Sequence, residues 1–320
     1  MINLRYHIVS LVAVFLALAL GMVVGSTVLN EGTAQVQRSI SEFLRRQSQQ
    51  TQAENDTLRG QVERYQAFGG AVLPGVVRGK LQGRSAVLLD TDRVDDGTRS
   101  KVEQALRAAG ASVGGRLTFA SERLALAAQG DRAKLAQLLN LSSGDAGALR
   151  TDLVEQLSVR LSVSLRLPAG EDGASRQRDM ITSLSDAKFL ADTELPGPVR
   201  DGGEAFPKAG SLFVIIGPTD GSTTLDPRAF LVPLADRLSA HITAPVAGVE
   251  AEAGVSSWVE VLRDNKEATQ RVSTVDDVDT VYGQVALVDA LVRRYANQPT
   301  GQYGFKQRAT GLLPEGSPAS

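Results

Sequence analysis

The densest polar cluster of the chain reads Ser273-Thr274-Val275-Asp276-Asp277-Val278-Asp279-Thr280, with three carboxylates inside four residues. Asp276, Asp277 and Asp279 suit a hard cation such as Mg²⁺ or Ca²⁺, which takes oxygen ligands. The competing reading is an acidic loop that caps the next helix, whose apolar residues are Val285, Leu287, Val288, Leu291 and Val292. A second candidate is the loop Gly217-Pro218-Thr219-Asp220-Gly221-Ser222. It follows the strand-like run Leu212–Ile216, where open α/β sheets place ligands, but it lacks the glycine spacing of a dinucleotide fingerprint. Soft-metal chemistry is poorly supplied. There is no cysteine, and only His7, His241, Met1, Met22 and Met180 remain as softer ligands. His241 reads as a surface or capping residue, and Trp258 as packing against Val255, Val259 and Leu262. Neither a phosphate-binding G-x-x-x-x-G-K-[ST], nor H-E-x-x-H, nor G-x-S-x-G occurs. The chain is therefore expected not to be an enzyme, with no catalytic residue and no bound cofactor assigned.

Lys and Arg total 34 against 36 Asp and Glu, a net charge of −2. Nucleic-acid binders carry a basic surplus or stripe, so that class of partner is excluded. With 42% apolar and 22% charged residues the bulk composition is that of a folded protein, and 320 residues allow two modest domains or one large domain with accessory segments.

Any site must be carried by three successive regions. From Ile8 to Leu29 run 22 residues without a charge. As a helix they reach about 33 Å, enough to cross a hydrocarbon core of about 30 Å. Residues 1–30 are read as a single-pass anchor in the plasma membrane, N-terminus cytoplasmic. The competing reading is a signal peptide cleaved before Ser26. Gly21 and Gly25 form a G-x-x-x-G, which could pack two anchors or simply be small residues in a lone helix. Residues 31–70 are read as a coiled-coil stalk, free of Gly and Pro between Thr33 and Arg59. Leu44, Thr51, Leu58 and Tyr65 recur every seven residues, with Ser41, Ser48, Asn55 and Val62 three residues before them. The pattern is clearest at Asn55, Leu58, Val62 and Tyr65, where a buried Asn would set register in a homo-oligomer. A solvated spacer without partner is the alternative. Gly69, Gly70, Pro74 and Gly75 are expected to end the helix.

Residues 71–296 read as an extracytoplasmic α/β domain. Its parallel sheet is built from two strand-loop-helix-strand units with right-handed crossovers. The first joins Ser85–Leu89, a helix with Val102, Ala105, Leu106 and Ala109, and Ala111–Leu117. The second joins Leu212–Ile216, a helix with Phe230, Leu231, Leu234 and Leu238, and Val246–Val249, with Asp226-Pro227 as a helix start and Pro233 delaying or kinking it. A helical insertion over about 121–192 shows Leu149, Leu153, Leu157, Leu161 and Leu165 in steps of four, then Met180, Ile181 and Leu184. A loop follows over 193–210, and residues 297–320 are expected to be a flexible tail.

The opening Met1-Ile2-Asn3-Leu4-Arg5-Tyr6-His7-Ile8-Val9-Ser10-Leu11-Val12-Ala13-Val14-Phe15 and the run Ser273 to Leu287 resemble the mycobacterial copper transport protein B (MctB) family. Gly301-Gln302-Tyr303-Gly304 with Leu312-Leu313-Pro314 fits as well. The resemblance spans essentially the whole chain. It implies an actinobacterial envelope protein of copper transport and homeostasis that forms a pore for copper leaving the cell. Other relatives resemble a cell-separation factor that works beside a membrane partner to control a peptidoglycan hydrolase. That gives an alternative role as a non-enzymatic scaffold with an envelope or divisome partner. Cu(I) prefers thiolate and thioether ligands, so copper is expected as a transported ion and not as a tightly held cofactor. An outer-membrane barrel needs many ten-residue segments of alternating polarity. No such series is found, and one helix can line a channel only if several chains assemble.

Overall fold

A computed structural model of the chain describes residues 4–142, 144–164, 180–194, 210–219, 225–251 and 258–316; within the first helix, side chains are described for 6–25 and from 40 onward. The chain divides into two units, Met1–Tyr65 and Gln66–Ser320. The first is helical where described and is supplied by α1, which runs from Leu4 to Val77. Its stretch Tyr6–Gly25 is long and apolar enough to cross a membrane, by length and composition. Leu29 lies on the same helix, and its side chain is outside the described set.

The residues expected to stop α1 do not stop it. The helix passes Gly69, Gly70, Pro74 and Gly75 and ends at Val77, with the Arg78 N–H donating to the Pro74 carbonyl at 3.1 Å. Pro74 removes one helical bond, the one its missing N–H would give to the Gly70 carbonyl. Burial of Leu73 and Val77 in the second unit outweighs that loss.

In the second unit the uniformly apolar runs become buried parallel strands, as expected when helices cover both faces of a sheet. β1 spans Ser85–Thr91, β2 Ser112–Phe119, β3 Leu190–Glu194, β4 Leu212–Ile216, β5 Val246–Val249, β6 Val272–Val275 and β7 Gln302–Tyr303. Their order is β3-β2-β1-β4-β5-β6-β7, with only β3 antiparallel to its neighbour. Between β1 and β2 lies α2 (Asp96–Ala108), capped by Asp95 and stopped at Gly110, whose φ of +91° suits a residue without Cβ. The insertion holds α3 (Ser121–Ala125), α4 (Gln129–Leu138), α5 (Ala146–Ser164) and α6, described over 180–186. Leu149, Leu153, Leu157, Leu161, Ile181 and Leu184 are buried as their spacing implies, while Leu165 is outside the described residues. After β4, Asp226 caps a single 3₁₀ turn, Pro227–Ala229, and α7 begins late, at Leu231, so that Pro233 falls in its first turn. Then come α8 (Trp258–Asp264), α9 (Lys266–Thr269) and α10 (Val281–Tyr295).

Alternate strand residues face two separate cores. Val87, Leu89, Phe213 and Ile215 pack under α5, α6, α7 and α8; Ala86, Leu88, Val214 and Val249 pack under α2, α10 and the end of α1. This arrangement exposes an exception to the expected crossovers. The step from β6 to β7 goes the same way across the sheet as those from β4 to β5 and β5 to β6. Yet α10 lies on the opposite face from α7 and α8, so that one connection has the opposite hand. Within the stretch expected as a tail, residues 301–304 are buried, Gln302–Tyr303 form β7, and Leu313 packs on the second core; residues 317–320 lie outside the described residues.

Because Pro74 is exposed and sits inside a helix, Pro74→Ala restores one backbone bond without disturbing the core. The variant should be more stable by about 1–3 kcal/mol. A thermal melt of the full chain in detergent checks this, and a lowered melting temperature contradicts it.

Candidate functional site

Open α/β sheets bind ligands beyond the carboxyl ends of their strands, foremost where the strand order reverses. Here the reversal falls between β1 and β4, and described residues of the two loops are bonded across it. The Thr219 N–H donates to the Arg93 carbonyl at 3.0 Å, and the Asp95 N–H donates to Thr219 Oγ1 at 3.0 Å. Of the loop Gly217–Ser222, positions 220–222 lie outside the described residues. Trp258 fills the space beside it. Its indole N–H donates to the Val249 carbonyl at 3.0 Å, and a Cβ at Gly217 would stand 1.8 Å from Trp258 Cδ1. A Cβ at Gly248 would stand 2.8 Å from the far edge of the same ring. The glycines of β5 and of the loop after β4 are thus seats for the chain's only tryptophan. Val259 and Leu262 are buried in the same core, while Val255 is outside the described residues.

The carboxyl ends of β5, β6 and β7 carry a charged network instead. Arg263 on α8 and Asp276 after β6 are fully buried and meet at 2.8 Å. The rest of the guanidinium is also engaged. Nε donates to Thr274 Oγ1 at 2.8 Å, and the terminal nitrogens donate to the carbonyls of Tyr303 and Gln307 at 2.8 and 3.1 Å. Asp276 in turn accepts the backbone N–H groups of Phe305 and Lys306 at 2.9 and 3.0 Å. This close approach requires Gly304, whose φ is +122° and whose missing Cβ would lie 2.1 Å from Asp276 Oδ1. Glu250, after β5, accepts Lys306 Nζ at 2.8 Å and the Val259 N–H at 3.2 Å. Burial pushes its carboxyl up to about 6, against the lowering pull of Lys306.

The three aspartates of the acidic cluster are not brought together. Asp276 is committed to Arg263 and the 305–306 backbone. Asp277 is buried against Gly283 of α10, and Asp279 lines a groove with Gln66, Lys101 and Gln284. Among the described residues no three His, Asp or Glu side chains converge as a metal site would require. The helix cap in this cluster is Thr280, whose Oγ1 accepts the Gly283 N–H at 3.2 Å. His241 ends α7 and meets Glu155 of α5 at 2.9 Å. Spacing could not disclose Arg263, Glu250 and Lys306, because their partners lie up to 56 positions away in the chain. On α1, Asn55, Leu58, Val62 and Tyr65 are all exposed, and a Cβ at Gly21 or Gly25 would meet nothing within 4 Å.

Chemically, the network ties the segment after β7 to the sheet by pairing Arg263 with Asp276 and Lys306 with Glu250. Removing one partner leaves the other stranded, so Arg263→Met should destabilise the chain by about 3–5 kcal/mol. Trp258→Ala should lose a similar amount, about 3–5 kcal/mol, through the cavity it opens. Denaturant unfolding measures both, and losses below about 1 kcal/mol would contradict the packing described. Glu250 gives a signed pH dependence. Its folded carboxyl titrates near 6 and its unfolded one near 4.5, so the folded chain holds the extra proton between those values. Stability therefore falls as pH rises through that window, and a penalty of about 2 kcal/mol persists at neutral pH. The stability difference between wild type and Glu250→Gln should change by that amount between pH 4 and pH 7.5; a constant difference rejects the assignment.

Comparison with known proteins places these features in a wider set. The profile of the family described as "Copper transport outer membrane protein, MctB" matches residues 1–314. The chain is 30% identical to proteins named "Copper transporter MctB" from Mycobacterium bovis and Mycobacterium tuberculosis, over 316 residues that cover 95% of this chain and 96% of the relative. A protein of the same name from Mycobacterium leprae is 28% identical over 324 residues, covering 98% and 99%.

Proposed function

The chain belongs to the MctB family, and from that premise we propose that it serves copper export as a single-pass, non-enzymatic membrane protein working as an assembly of copies. The observation that carries this reading is the family match over residues 1–314, joined to the apolar helix Tyr6–Gly25. The helix is the tether in the plasma membrane. The N-terminus stays in the cytoplasm and the α/β unit lies outside, since a large domain translocates whatever the charge of its flank.

Copper enters as cargo. The softer donors of this chain are scattered: His7 and Met22 stand exposed on α1, Met180 sits half-buried on α6, and His241 is engaged by Glu155. Such a set favours passage over capture, because conduction needs sites weak enough to release the ion. One helix encloses nothing, so a path through the membrane requires several copies of α1. Helices on both faces of the seven-stranded sheet support an aqueous setting for the second unit, since a lipid-facing barrel strand alternates apolar and polar residues.

The test is genetic and then physical. Deletion should raise cellular copper several-fold and lower copper tolerance. The full chain should restore both, while a piece lacking residues 1–30 should not. Unchanged copper content after deletion would remove the transport role.

A further inference from the structure

A groove of about 250 Å³ opens in the second unit where the last turns of α1 meet α2 and the start of α10. Apolar Leu73, Ala108 and Val281 line it, with charged Lys101 and Asp279. Gln284 reaches it from α10. That residue is only 6% exposed, yet its amide makes no hydrogen bond to any described residue and opens into the groove. A sequestered amide without a partner is costly, and folded chains seldom keep one that nothing else completes. The end of α1 adds a second unused group. Pro74 has no N–H to give to the Gly70 carbonyl, and both residues line the groove. Gly70 also leaves the space open, since a Cβ there would meet nothing within 4 Å. Lys101, half-buried on α2, pairs with no described carboxylate.

We propose that this groove binds a small zwitterion of the amino-acid class, a free amino acid or a dipeptide. Lys101 supplies the cation for the ligand's carboxylate. Asp279 supplies the anion for its ammonium, and a carboxylate has lone pairs for more than one donor. The Gly70 carbonyl accepts a further ammonium N–H, and the Gln284 amide offers one donor group and one acceptor to the remaining polar atoms. Leu73, Ala108 and Val281 give the ligand's carbon atoms an apolar wall. One charge of each sign disfavours a polyanion or a polycation, either of which would meet a like charge beside each opposite one. The volume of about 250 Å³ lies below the roughly 300–1,000 Å³ of pockets for drug-sized ligands, which limits the occupant to one or two residues. The site lies wholly in the second unit and does not depend on the copper role.

The probe is alanyl-alanine, titrated calorimetrically into the full chain in detergent beside its N-acetyl and C-amide forms, each of which lacks one charge. Both blocked forms should bind about tenfold more weakly than the parent dipeptide. Lys101→Met should abolish the preference over the amide alone, and Asp279→Asn the preference over the acetylated form alone. Gln284→Leu should weaken binding severalfold while the melting temperature holds or rises, because no protein partner is lost. A glutamine with a merely structural role would lower it instead. Gly70→Leu should fill the groove and remove binding while the chain stays folded, since leucine suits a helix better than glycine. No binding of the dipeptide at millimolar concentration, equal binding of all three forms, or unchanged affinity in Gly70→Leu and Gln284→Leu overturns the site. Tighter binding of a blocked form would mean that the groove takes a segment inside a longer chain, and that result overturns the zwitterion.

Discussion

A guanidinium sealed from water has to point its donors at acceptors that are themselves inside the protein, and Arg263 does so with the last segments of the chain. Its bonds reach Thr274 in β6, Asp276 just after it, and the carbonyls of Tyr303 and Gln307. β7 is only two residues long, too short to be held by its ladder alone. The buried charge supplies what the ladder lacks. The reversed hand of the β6–α10–β7 connection is tolerated for the same reason. Once Asp276 has accepted the Phe305 and Lys306 N–H groups, the strand has one place to lie.

Seen from this network, Asp276 of the acidic cluster is already engaged inside the chain. Asp276 answers a cation that the chain itself provides, and Lys306 does the same for Glu250. Among the described residues, Thr219 bridges the loops after β1 and β4, and the Trp258 ring is seated on two glycines.

The helix α1 changes character along its length. Its first part is apolar all round, which only lipid or other helices accommodate. Its later part is polar, and near its end Leu73 and Val77 are buried in the second unit.

The apolar runs at Ser85–Leu89, Leu212–Ile216 and Val246–Val249 were legible because their short length, branched aliphatic content and flanking turn residues mark a doubly covered strand. So was the span Tyr6–Gly25, since uncharged length needs no tertiary context. The aspartates were visible as a cluster, but their chemistry was not: whether Asp276 meets a metal or Arg263 depends on where α8 packs. The same holds for β6, β7 and the ordered end of the chain, whose short polar strands carry little local signal and are held by partners distant in sequence. It holds for α1 as well, which passes a proline and three glycines because burial of Leu73 and Val77 outweighs local preference. Local residue type decides what a segment can become; only packing decides which of two available partners a charge or a helix face will meet.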